Sequence, residues 1–254
     1  MKQWTIEQVT AEAYDTREAM GQAAAQRLAE AIRTKLQEKE TIAVVFASAP
    51  SQNEFLRSLR TIDSVAWERI RCYHLDEYVG LPTEAPQSFA TYLRSELFAF
   101  RTPLEFNALN GLNDPAEECV RYTKLLERHP IDIACIGIGE NGHIAFNDPH
   151  VADFADPARI KKVVLDETSR RQQVNDGCFP QLNAVPREAL TLTIPSIVSA
   201  SHIICTVPGE RKSDAVHRTL FGPVDLSCPA SILRRSARCD MFLDFASASR
   251  IASQ

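Results

Sequence analysis

Short, continuous apolar runs alternate along the chain with longer stretches in which apolar residues recur at helical spacing. Residues 11–39 combine that spacing with strong helix formers in TREAMGQAAAQRLAEAIRTKLQEKE, which predicts one long helix. The run TIAVVFA (41–47) is apolar and β-branched, the pattern of a buried parallel strand. Helix is expected over 51–61, then a strand in WERIRCYHLD that reaches Asp76, a helix over 88–98 and a short strand over 104–110. In DPAEECVRYTKLLERH (114–129), Asp114 as N-cap and Pro115 at the first helical position predict another helix. Strands are expected in IDIACIGIG (131–139), IKKVVLD (160–166), EALTLTI (188–194), HIICTVPG (202–209) and RCDMFLDF (238–245). Helices are expected over 169–179, stopped near Gly177, and over 210–222.

This alternation predicts a three-layer α/β/α architecture with a mainly parallel, Rossmann-like sheet. No repeat, linker or low-complexity stretch divides the chain, so residues 1–254 are read as one domain. In such a fold, ligands bind beyond the carboxyl ends of the strands. Four predicted strand ends carry polar loops: ASAPSQ (47–52), HLDEYVG (74–80), GENGHIAFND (139–148) and VPGERKSD (207–214).

Each loop has a plain structural reading beside a chemical one. An isolated Asp-Glu pair such as Asp76-Glu77 is ordinarily a solvated turn or a cap. Here the pair sits between an apolar strand and Tyr78, Val79 and Leu81, where partial burial would make one carboxylate a usable general base. His143 alone would be a satisfied structural histidine. With Asn141 and Asp148 beside it, the ring can be fixed on one nitrogen while the other moves a substrate proton. Gly139 and Gly142 would let backbone approach a ligand closely. Ser48 and Ser51 are helix caps on the plain reading and part of an anion site on the other, because a helix is expected to begin there. Lys212 and the paired Arg170 and Arg171 are surface cations unless they converge on a phosphate.

Composition narrows the classes of partner. The 254 residues are 44% hydrophobic and 24% charged, ordinary for a soluble globular protein. The formal net charge of -5 gives no electrostatic footprint for nucleic acid. No run approaches the length of a membrane span, and the N-terminus lacks the apolar core of a signal peptide. Seven cysteines, without a C-x-x-C pair and largely in apolar segments, read as reduced core residues of a cytoplasmic protein. Their spacing argues against a metal centre, and no cofactor is expected.

LDEYVGLP, followed by SFATYLRSELF and then GIGENGHIAFNDP, closely resembles the glucosamine-6-phosphate deaminase/isomerase family, and the order of elements matches from about residue 20 to 245. The resemblance implies conversion of an amino-sugar phosphate to a ketose phosphate with release of ammonia. It implies that Asp76 moves a proton between C2 and C1, and that His143 opens the sugar ring, oriented by the side chains at Asn141 and Asp148. It places the phosphate between the Ser48–Ala49–Ser51 loop and Lys212, with an arginine, Arg170 or Arg171, beside it. Glu77 and Gly142 are expected among the substrate-binding residues. Of the two orienters, only Asp148 can stabilise an imidazolium as an anion, so it is expected to take that role in place of Asn141.

Three departures from the family pattern stand out. The first loop is Ala47-Ser48-Ala49-Pro50-Ser51 where glycines are usual, Asn141 stands where many members have an acid, and Asp148 replaces the usual glutamate. The chain also ends sooner than the allosteric hexameric members. A homo-oligomer is compatible with the family, but nothing in the pattern requires one. Two other readings compete: a 6-phosphogluconolactonase-like hydrolase in which His143 activates water, and a sugar-phosphate-binding protein without catalysis.

Overall fold

The structure is a computed structural model and describes residues 1–252. A hairpin of β1 (Lys2–Ile6) and β2 (Val9–Tyr14) precedes α1 (Arg17–Glu38). There follow β3 (Ile42–Phe46), α2 (Asn53–Leu59), β4 (Ile70–His74), β5 (Asp76–Tyr78), α3 (Phe89–Leu93), β6 (Glu105–Asn107), α4 (Pro115–Arg128) and β7 (Ile133–Ile136). The chain continues with β8 (Ile160–Val164), α5 (Glu167–Asn175), β9 (Glu188–Leu192), α6 (Ile194–Val198), β10 (His202–Val207), α7 (Ser213–Phe221) and β11 (Cys239–Asp244).

Eight strands form the main sheet in the order β1-β2-β11-β10-β7-β3-β4-β6. Every pair is parallel except the β1–β2 hairpin at one edge. All residues of β3, β7, β10 and β11 are buried, as strands covered by helices on both faces must be. The predicted mixed α/β class with a mainly parallel central sheet is the class observed. No helix among the described residues is long and apolar enough to cross a membrane.

Two expectations change. The predicted helix over 11–39 begins only at Arg17, because Thr16 caps it by accepting from the Ala19 amide at 3.1 Å. Residues 9–14 instead form β2, which buries Val9, Ala11 and Ala13 completely in a period of two. The strand expected to run to Asp76 also breaks. β4 ends at His74, and Asp76 opens β5, which leaves the main sheet. There it joins β9 and β8 in a three-stranded antiparallel sheet, pairing Asp76 with Thr191.

The four polar loops follow β3, β4, β7 and β10. These are adjacent in the order β10-β7-β3-β4, so parallel pairing alone delivers all four to one edge. The aromatic cluster of Tyr78, Phe89, Phe146 and Phe179 packs beside that edge, with ring centroids 4.9–5.8 Å apart.

Candidate active site

The cleft at this edge is lined by Ser48, Ala49, Ser51 and Gln52 after β3, and by Leu75 and Asp76 after β4. Gly137, Ile138, Gly139, His143, Ala145 and Phe146 come from the segment after β7, and Lys212 from the turn after β10. Phe89 of α3 and Gln172 and Gln173 of α5 complete the wall.

His143 is held from behind. Gly139 N–H donates to the His143 carbonyl at 2.9 Å, closing a tight turn that returns the imidazole over Gly139. A Cβ on Gly139 would lie 2.1–2.3 Å from three ring atoms, so only glycine fits there. Nδ1 lies 2.8 Å from Asn141 Oδ1, 3.1 Å from Asp148 Oδ1 and 3.3 Å from Ser169 Oγ. Both Asn141 and Asp148 therefore meet the ring, where Asp148 in place of Asn141 was expected. Asn141 also accepts from the His143 amide at 3.0 Å and donates to Asp148 Oδ1 at 3.0 Å, tying the loop across its own chord. The contacts to the ring itself all use Nδ1, which leaves Nε2 without a hydrogen-bond partner among the described residues.

Asp148 is fully buried. Burial opposes its charge, but hydrogen bonds from His143, Asn141 and Ser169 prevail and hold its carboxyl at about 2, below the ordinary 3.8. The turn that carries these residues is strained and pinned. Ala145 has a left-handed φ of 51°. Its neighbours anchor it: Phe146 N donates to Thr191 Oγ1 at 3.1 Å, and Asn147 Nδ2 donates to the Ile144 and Leu192 carbonyls at 3.0 and 2.8 Å.

Asp76 presents the opposite electrostatics. Burial first, and the charge of Glu77 second, push its carboxyl well above 3.8. No side-chain hydrogen bond among the described residues offsets that shift, so the carboxyl has a raised proton affinity. Lys212 is buried with no ion pair among the described residues; burial lowers its proton affinity, partly offset by the charges of Asp176 and Glu140. Ser48 Oγ, also buried, has no hydrogen-bond partner among the described residues. Gln52 braces this loop, accepting from Thr206 Oγ1 at 2.6 Å and donating to Ser51 Oγ at 3.2 Å. An unpaired ammonium and a free hydroxyl facing one cleft suit an anion.

Four candidate site residues lie elsewhere. Glu77 points away from Asp76, because successive residues of a strand face opposite sides. Its carboxylate accepts from Tyr78 N, Ser88 Oγ, Phe89 N and Ala90 N at 2.8–3.2 Å, which fully employs it at the start of α3. Gly142, at φ 87°, is turned toward Cys228, whose Sγ would lie 2.6 Å from an added Cβ. Arg171 is exposed and pairs with Glu167 one turn back on α5. Arg170 does not reach the cleft either; it donates to the Leu182 and Val185 carbonyls at 2.7 and 2.9 Å. The same helix instead brings Gln172, Gln173 and Ser169, none of which the sequence reading singled out. The available signal was Asp166, which caps α5 by accepting from Ser169 N at 2.6 Å and so fixes the helix phase.

A sequence model of glucosamine-6-phosphate isomerases/6-phosphogluconolactonase matches residues 15–241. Glucosamine-6-phosphate deaminase of Listeria monocytogenes (serotype 4a, strain HCC23) is 37% identical over 213 residues, 84% of this chain and 88% of the relative. The enzyme of that name from Exiguobacterium sibiricum is 37% identical over 193 residues, 74% of this chain and 75% of its own length. A solved monomeric glucosamine-6-phosphate deaminase superposes with a TM-score of 0.85 at 31% identity, covering 94% of this chain and 99% of the other. The 6-phosphogluconolactonase of Trypanosoma brucei, at 16% identity and a TM-score of 0.77 over 98% of this chain and 100% of its own, shares the fold. The chain belongs to the glucosamine-6-phosphate isomerase/6-phosphogluconolactonase family.

Proposed function

We propose that the protein is a glucosamine-6-phosphate deaminase: it converts a hexosamine 6-phosphate and water into a ketose 6-phosphate and ammonia, with the whole chain acting as one catalytic unit in the cytoplasm. The observation that carries the reading is the pairing of a buried acid of raised proton affinity, Asp76, with an imidazole fixed through Nδ1 across the same cleft. Two proton-transfer groups with separate environments suit a reaction of two separate proton transfers.

The chemistry divides between them. The substrate enters as a closed ring, and the C1–O5 bond breaks when a proton leaves the anomeric hydroxyl and one reaches O5. His143 Nε2 carries that exchange, while Asn141 and Asp148 keep the ring oriented and Asp148 stabilises the imidazolium. Asp76 then takes the proton from C2, and C1 receives one. C1 becomes a CH2OH group and the C2 amine an iminium; water adds at C2, and ammonia leaves. Ser48 and Lys212 hold the phosphate at the far end, with Ser51 and Ala49 shaping the loop. Gln172 and Gln173 line the wall where an arginine was expected. No cofactor takes part in these steps.

The experiment is a panel assay. Ammonia should be released from glucosamine 6-phosphate, and 6-phosphogluconolactone should not be hydrolysed above the uncatalysed rate. Lactone hydrolysis without ammonia release would favour the lactonase reading. Thermal stabilisation by the sugar phosphate without turnover of any member of the panel would favour a binding protein.

A further inference from the structure

We propose that Ser169, at the third position of α5, is a positioning residue that sets how the His143–Asp148 pair shares its proton. The inference rests on the deaminase reading for its kinetic consequences, though not for its geometry. Ser169 Oγ donates to Asp148 Oδ1 at 2.5 Å and lies 3.3 Å from His143 Nδ1, while the residue is only 1% exposed. It thus touches both members of the pair from a different element.

Nδ1 carries one hydrogen, and the two acceptors that face it are Asn141 Oδ1 and Asp148 Oδ1. The Ser169 hydroxyl also has one hydrogen, and at 2.5 Å it is committed to Asp148. Asp148 Oδ1 therefore receives hydrogen bonds from Ser169 and from Asn141 before it meets the imidazole. Each donor spreads the carboxylate charge and weakens its pull on Nδ1–H. The ring is oriented by an anion and is still able to give up a proton.

The other charged groups around the ring leave this role to Ser169. Asp76 and Lys212 face His143 across the cleft. His150 and Asp166 lie beyond Asp148, with a side-chain oxygen or nitrogen of each of the three within 4.8 Å of the others. On α5, Glu167 and Arg171 are engaged with each other, and Arg170 with backbone carbonyls. None of these donates a hydrogen bond to Asp148 Oδ1. Ser169 is also tied to the same helix as Gln172 and Gln173, so the seating of α5 fixes cleft wall and proton relay together.

The test compares the parent protein with Ser169→Ala and Ser169→Thr. In Ser169→Ala the Asp148 carboxylate loses a donor and holds the imidazolium more tightly, so the His143 ring titration, followed by nuclear magnetic resonance, should move to higher pH. With glucosamine 6-phosphate, kcat should fall about tenfold and KM should change less than about twofold, the size expected for one hydrogen bond to a charged group. The acidic limb of the kcat profile should move to higher pH with the ring titration. Ser169→Thr, which restores the hydroxyl, should restore both readouts. Unfolding temperatures verify that the variants are folded. An unmoved His143 titration in a folded Ser169→Ala protein would overturn the proposal whether or not the parent releases ammonia. Absence of ammonia from the parent would count against the deaminase reading alone, and the ring titration would still decide the role of Ser169.

Discussion

The imidazole of His143 occupies the space that a side chain on Gly139 would fill: a Cβ there would come within 2.3 Å of Nδ1 and Nε2. The contact explains a glycine that the sequence suggested was kept for close approach of a ligand. It also makes Gly139 a direct test of His143. Gly139→Ala should displace the ring by about 1 Å or more, and misplacement of that size costs roughly a hundredfold in rate. We expect kcat to fall by at least that factor. Thermal shift should show that phosphate binding at Lys212 survives. Parental turnover by Gly139→Ala would mean that ring position is not limiting.

Asp76 should trade stability for activity. Its carboxyl is pushed well above 3.8 by burial and by Glu77. A carboxyl with a raised folded pKa favours the fold fully below its unfolded value and loses that advantage as pH rises through the folded value. At pH 8, far above the unfolded value, burying this group therefore penalises the fold. Asp76→Asn should be more stable than the parent at pH 8, with the gain shrinking toward pH 4, while ammonia release is lost. Denaturant midpoints at the two pH values check it; a variant less stable at pH 8 than at pH 4, relative to the parent, would contradict it.

The anion end should respond selectively. Lys212→Ala should raise KM by roughly ten- to a hundredfold, the range for one hydrogen bond to a charged group, with smaller effects on kcat. Gln173→Ala should raise KM by a smaller factor, about threefold to tenfold. Arg171→Ala should leave both constants unchanged, since Arg171 pairs with Glu167 outside the cleft. A large KM effect at Arg171 would require α5 to turn on substrate binding.

His74 lies beneath the site and should govern acid stability. Burial lowers its imidazole from 6.5 to about 3, and its Nε2 accepts from Leu109 N at 2.8 Å. A histidine held neutral in the fold contributes stability above its unfolded value, and that contribution is lost as pH falls from 6.5 toward about 3. Between pH 6.5 and about 4.5, where ordinary carboxylates remain largely ionised, urea midpoints should fall for the parent. His74→Gln should be less stable at pH 7.5 but show a flatter profile over that interval.

The parts of the site that lie at strand ends were legible from sequence because parallel strands bring their carboxyl ends to one edge. Asp76, His143, Ser48 and Lys212 line one cleft for that reason. What sequence order does not carry is the direction of adjacent side chains. Asp76 and Glu77 are neighbours on β5 but face opposite sides, and the second serves α3. On α5, a helix start two residues earlier than expected turns Arg171 outward and Gln172 and Gln173 inward. The second strand of the N-terminal hairpin was hidden because Ala11 and Ala13 are strong helix formers that run straight into the helical pattern of α1.

Transfer of the C2 hydrogen by Asp76, after His143 has opened the ring, can be followed by nuclear magnetic resonance of glucosamine 6-phosphate incubated with the protein in deuterated water. The parent should release ammonia and yield a ketose phosphate carrying deuterium at C1, whereas Asp76→Asn should leave the C2 hydrogen in place while still binding the sugar. Exchange of that hydrogen by Asp76→Asn at the parental rate would contradict the assignment.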